Sequence, residues 1–302
     1  MTATLPRTAH DLIAGALGWL HAHHELDVFP ADTTADLDDP DSIYRPLAET
    51  ALSAALVLRA GVAGTVELRL ARELLEFSWR QMRDGDLLYE RQLRHPLLTD
   101  PVETYMHYHR SGIRHDALDE VIAHNSAVDS MTELVPNRRL AIANAHRVLG
   151  VPRDDDWASM ARQTWLGGTP QPWAIDWDTA YHMTHTVFHL TDWGARPTGL
   201  PPDLADYLAE WLPVWVDIWA EVRHWDLVGE LLIVGACLPE PRCDEAEWRL
   251  LAQAQHADGL VPRDGDPVPE ERERRYRENQ HTAVVAVVAG TIALSRLLGG
   301  GT

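Results

Sequence analysis

The chain of 302 residues carries 46 acidic against 26 basic side chains, a net charge of −20, and 45% of it is hydrophobic. So acidic a chain repels nucleic acid and anionic lipid headgroups, so neither is an expected partner, and no run of 18 apolar residues predicts a membrane span. All 26 basic residues are arginine, which excludes lysine Schiff bases, pyridoxal phosphate anchoring and the P-loop lysine of nucleotide binders.

The abundance of arginine, alanine and leucine fits a GC-rich coding bias. No basic region and cleavage site precede the first apolar segment, and Cys237 and Cys243 form no CxxC pair. The expected compartment is therefore a reducing cytoplasm. None of the links between periodic segments is long enough to separate one domain from another, so a single domain over 1–302 is expected.

Hydrophobic periodicity is helical almost throughout. It predicts helices over 8–23, 44–60, 66–83, 101–112, 115–128, 137–149, 155–164, 176–194, 203–222, 225–237, 244–257 and 279–298, and no strand. The first link, FPADTTADLDDPDS, contains Asp36-Leu37-Asp38-Asp39. The second helix is nearly free of charge after Arg45 apart from Glu49, a carboxylate in apolar surroundings that requires a partner, a cation or a raised pKa. MHYHR over 106–110 is an accessory polar patch, and Asp154-Asp155-Asp156 reads as a helix cap.

The segment YHMTHTVFHLTDWG, 181–194, puts three histidines and an aspartate within eleven residues. At about 100° per residue, Tyr181, His182, His185, His189 and Asp192 fall on one stripe about 100° wide, beside an apolar face. Imidazoles at i and i+4 can share one metal ion, and a carboxylate can complete the set. The bland reading is a polar face turned to water. Further on, Trp211, Trp215 and Trp219 form another stripe, read as packing between helices or as a cation-stabilising wall. WDLVGELLIVGACL places Asp226 and Glu230 one turn apart in an apolar helix. His281 opens the last apolar helix, just beyond Gln255-His256-Ala257-Asp258-Gly259.

The last two helices carry a resemblance. A Gln-x-x-Asp-Gly feature followed by a histidine opening an inner helix resembles the final hairpin of α/α-toroid enzymes, the terpenoid cyclases and protein prenyltransferase β subunits. There a Tyr-His-Thr element supplies a zinc ligand. Here the element is Gln280-His281-Thr282, and the Asp-x-Cys zinc pair has no counterpart. The histidine helix also looks like a segment of actinobacterial toroid-like proteins. The resemblance implies an all-α toroid of about twelve helices in hairpins. It also implies that the His185 stripe, Glu230 and His281 face one central cavity.

Three functions follow as expectations. The first is an enzyme of bacterial specialised metabolism, metal-dependent or acid/base, acting on a small molecule or short peptide. Its divalent ion, zinc or iron(II), would be held by His185, His189, Asp192 and His281, with Glu230, Asp226 and Tyr181 catalytic. The second is a metal-free cyclase resembling the terpenoid class, whose DxDD acid corresponds to Asp38. The third is a peptide- or partner-binding toroid without chemistry.

Overall fold

The computed structural model describes residues 4–36, 40–129 and 135–299, and among these the secondary structure is helical, with no strand. Thirteen α-helices follow one another: α1 Leu5–His23, α2 Pro40–Ala60, α3 Thr65–Gln81, α4 Asp86–Arg94, α5 Asp100–Arg110, α6 Asp116–Asp129, α7 Pro136–Leu149, α8 Trp157–Arg162, α9 Trp177–Thr191, α10 Pro202–Glu221, α11 Trp225–Cys237, α12 Glu245–Ala254 and α13 Arg272–Gly299. The all-α expectation holds. Leu37, Asp38 and Asp39 of the DxDD string lie outside the described residues, while Asp36 pairs with Arg94 at 2.7 Å.

The helix absent from the sequence reading is α4. Its buried face combines Leu87 and Leu88 with Arg91 and Gln92, so polar residues interrupt the apolar stripe that periodicity detects. Arg91 is fully buried, with its guanidinium 4.0 Å above the Tyr44 ring and 3.1 Å from Asp100. The last helix starts two turns earlier than predicted. Arg274 and Glu278 pair along its surface at 2.6 Å, a spacing that supports a polar helix start. Tyr276 turns inward, stacks on Trp19 and donates to Asp27 Oδ2 at 2.5 Å.

Two layers result from the packing. In the inner one, α2 packs on α5, α5 on α7, α7 on α9, α9 on α11 and α11 on α13, and α13 returns to α2. The other seven helices pack against these six, with α1 on α13 and α3, α3 on α2, α4 on α5, α6 on α4 and α7, α8 on α7 and α9, and α10 and α12 on α11. Helix α1 comes close to α13: a Cβ on Gly290 would stand 2.6 Å from Ile13 Cγ1 and 2.9 Å from the Ala9 carbonyl oxygen. By length and composition α13 matches a membrane span, with mean hydropathy 1.8 over its most apolar stretch, but 72% of that stretch is buried inside the fold.

The Gln255–Gly259 turn fastens this seam. Gln255 Nε2 donates to the Leu12 carbonyl at 3.1 Å and to the Gly259 carbonyl at 3.0 Å. Gly259 has φ +96°, and a Cβ there would lie 2.1 Å from the Gly15 carbonyl oxygen. Only glycine satisfies both demands. Asp258 caps the turn by accepting from Leu260 N and pairs with Arg275 at 2.6 Å.

Candidate active site

The ring encloses a cavity of about 550 Å³. All six ring helices contribute to its lining and none of the outer seven does; Leu98, Thr99 and Trp193 are the lining residues that lie outside helices. Charged groups stand on its wall on α2, α9, α11 and α13, and on the side of α5 and α7, where Asp100, Glu103 and Arg138 line it and Arg138 pairs with Glu103. The tryptophan stripe of α10 faces elsewhere: Trp215 packs on Tyr207 and donates Nε1–H to the Pro172 carbonyl at 3.2 Å. Those rings serve packing between helices.

On α11, Asp226 and Glu230 are 4% and 2% exposed, so both need internal partners. Asp226 Oδ2 accepts from the Tyr181 hydroxyl at 2.5 Å. Glu230 Oε2 accepts a short hydrogen bond from the Thr184 hydroxyl and lies 3.6 Å from His185 Nδ1. From α13, His281 points between the carboxylates, with Nδ1 3.0 Å from Glu49 Oε1 and Nε2 3.7 Å from Asp226 Oδ2 and 3.9 Å from Glu230 Oε1. Arg45 Nε completes the set at 2.6 Å from Glu49.

Burial works to raise the Glu49 carboxyl, but the His281 and Arg45 charges overcome it and hold it at about 2. Glu230 is likewise below its ordinary value, because His185, His281 and Thr184 outweigh the cost of its burial. Burial opposes charge on His281 too, yet the three surrounding carboxylates hold it well above the ordinary imidazole value. At neutral pH it is an imidazolium. Burial and the adjacent Asp226 push the Tyr181 phenol far up, so it remains a donor.

His185 is the group left free to react. Its Nδ1 lies 2.7 Å from the Tyr181 carbonyl oxygen, which can only accept, so Nδ1 carries a proton and Nε2 is the ring nitrogen at which a proton can be exchanged. The side chain is 33% exposed.

The expected metal set does not assemble. Helix α9 begins at the N-cap Asp176, which accepts from Thr179 N at 2.8 Å, and ends before Asp192. Asp192, Trp193 and Gly194 all have positive φ, so the 100° projection no longer applies at Asp192. Its carboxylate turns away from the histidine stripe to Arg110 at 2.5 Å and Arg59 at 3.4 Å, with Asn144 Nδ2 at 3.3 Å. His189 does line the cavity, its ring centroid 6.2 Å from that of His185. His182 is occupied by Asn137 at 3.3 Å. Among the described residues no three His, Cys, Asp or Glu side chains are placed to hold a metal ion.

Tyr181, His185, Asp226, Glu230 and His281 therefore stand together, His189 stands at the next position along α9, and Asp192 stands apart. Glu49, singled out for its apolar helix, belongs to the cluster as well. Thr184 and Arg45 carry no sequence signal of their roles; each is fixed by the packing of α2 and α9 on the helices beside them. An all-α protein whose cavity carries carboxylates and imidazoles on its wall is the class that fold and site define. The chain belongs to the DUF6895 family, a domain of unknown function, whose model matches residues 13–291 and so spans most of α1, the whole of the ring through α11, and α13 as far as Thr291. No curated protein and no solved structure matches the chain.

Proposed function

We propose that the protein is an acid/base enzyme acting on a small molecule or short peptide inside an α/α toroid. The closed packing order of six inner helices supports the toroid reading, as does a cavity lined by helix residues from those six alone. One observation carries the chemistry: His185 has Nδ1 tied to the Tyr181 carbonyl, Glu230 beside it, and Nε2 unengaged on the cavity side.

In this reading Nε2 removes a proton from the substrate, and the imidazolium so formed is stabilised by the buried Glu230 carboxylate. Tyr181 and Asp226 hold the backbone and side chain of that turn of α9 against α11. The His281 imidazolium supplies a fixed positive charge for the electron density that develops on the substrate as the proton leaves. The same His185 then returns the proton at a second atom or releases it to water. This is the acid/base arm of the expectation, with Asp226 and Tyr181 as positioning residues and no role for Asp192.

Deuterium uptake tests it without a known substrate. The protein is incubated in D2O with a small-molecule extract of its source cells, beside the His185→Gln variant. A compound that gains deuterium or changes mass with the parent protein and not with the variant is expected. Identical isotope patterns in the two samples overturn the proton-transfer reading and favour a cavity that binds without chemistry.

A further inference from the structure

The cavity has a second end, beyond His185, where polar groups are buried without partners. His107 on α5, His189 on α9 and Trp193 in the turn after α9 are 5%, 5% and 8% exposed. All three line the cavity. Among the described residues, His107 Nδ1, both ring nitrogens of His189 and Trp193 Nε1 have no hydrogen-bond partner. Orphaned buried polar atoms are uncommon in folded proteins and cost stability, so three such residues on one cavity wall point to a ligand that completes them.

The chemistry of that ligand follows from what the three can offer. An indole N–H only donates. Burial, together with Arg110 and Arg59, holds His107 well below the ordinary imidazole value; burial, Arg138 and the neighbouring histidines do the same to His189. Both rings are neutral at pH 7, so each has one N–H to give and one ring nitrogen that accepts. The charge behind them is positive. Arg59, Arg110 and Arg147 surround the carboxylate of Asp192, and Arg110 Nη1 is buried with no acceptor among the described residues. Burial first, then Arg110, depress the Arg59 guanidinium to about 10, against the pull of Asp192. Those three arginines do not themselves line the cavity, and the charged groups of α5 and α7 that do are paired, Glu103 with Arg138 and Asp100 with Arg91, so a ligand there meets the uncommitted neutral groups of the three residues with the positive charge behind them. Between this end and the carboxylate wall the lining is apolar, with Phe188, Ile233, Val284, Val285 and Val288.

We propose that His107, His189 and Trp193 form a recognition subsite for the carboxylate of an otherwise apolar small-molecule substrate. The field favours an anion over a neutral carbonyl. The guanidiniums that do line the cavity already hold carboxylates, Arg138 pairing with Glu103 and Arg45 with Glu49, which favours a single charge over a phosphate dianion, since a dianion calls for direct contact with an uncommitted arginine. The proposal rests on the cavity being an active site. With the His185 and His189 rings 6.2 Å apart, a carboxylate anchored at His189 holds a carbon a few bonds away beside His185 Nε2.

The test is calorimetric titration of the intact protein with octanoate and, as its uncharged counterpart, octanamide. Octanoate is expected to bind at least tenfold more tightly. His189→Phe and Trp193→Phe are each expected to weaken octanoate at least fivefold and to bring the two probes within about twofold. Trp193→Phe also identifies the Trp193 indole N–H resonance, which octanoate should move downfield in the parent. Equal affinity for the two probes, no binding of octanoate, or an indole resonance that stays in place overturns the subsite. If one variant does not fold, the comparison of probes on the parent protein still decides. Proton transfer plays no part in this readout, so failure of the subsite and failure of the acid/base reading register separately.

Discussion

His281 Nδ1 lies 3.0 Å from Glu49 Oε1, joining the last helix of the ring to the first. The contact spans 232 positions of the chain, and it places the cation that α13 turns into the cavity among three carboxylates.

That placement predicts a particular pH dependence for His281→Gln. The folded pKa of His281 lies above its unfolded value of about 6.5. Its contribution to stability is therefore fully present below about pH 6.5 and is lost as pH rises through the folded value. The variant should be less stable than the parent by about 1–3 kcal/mol between pH 5.5 and 6.5. The gap should narrow steadily in alkaline solution. Urea denaturation at a series of pH values measures it, and a gap that widens with pH contradicts the assignment of charge.

His107 and His189 predict the opposite slope. Their folded values are depressed, so the unfolded chain takes up protons first and stability falls as pH drops below about 6.5, by about 1.4 kcal/mol per unit and group. His189→Phe removes one such group. Relative to the parent, the variant should gain about 2 kcal/mol between pH 6.5 and 5, read from the same denaturation series. A constant difference would mean that His189 is protonated inside the fold.

Asp192 holds two arginines rather than a metal. Asp192→Asn should cost about 3 kcal/mol or more, because it leaves the guanidiniums of Arg59 and Arg110 buried without a counter-ion. Arg110→Gln in the same chain should recover part of that loss, a coupling of about 1–3 kcal/mol in a double-mutant cycle. Additive losses would contradict the clasp.

Gly259→Ala is expected to destabilise by about 3 kcal/mol or more, since a side chain would be strained at φ +96° and would collide with the Gly15 carbonyl. Gly18→Ala, where a Cβ meets nothing within 4 Å, is the matched control and should be neutral or slightly stabilising on helix propensity. Comparable melting temperatures for the two variants would mean that the turn yields.

The helical class and the carboxylate wall were legible in the sequence because each left a mark on hydropathy. Asp226 and Glu230 stand out in an apolar helix, Glu49 in a nearly uncharged one, and His281 at the head of an apolar run. Asp192 was misplaced because a helical wheel assumes that the helix continues, and three consecutive positive φ angles break it. Helix α4 was missed because Arg91 is buried there, inverting the usual meaning of a charge. The partners of Glu230 and Asp226 depend on α9 lying against α11, a relation between distant segments that no local pattern records. The Gln255–Gly259 feature was visible, but its work is structural: it straps the turn before α13 to α1.

The packing of α13 on both α1 and α2 bears on how the chain comes to be made. The inner surface of the ring remains open until its final member arrives, so helices leaving the ribosome earlier have no finished cavity to close around. Contacts that join segments more than two hundred residues apart slow the search for the native topology. Throughout that interval the apolar inner faces of α2, α5, α7, α9 and α11 stand uncovered. Folding of this chain is therefore a race between completing synthesis and self-association, and its large negative charge, which keeps unfinished chains apart, is an asset before there is any site to serve.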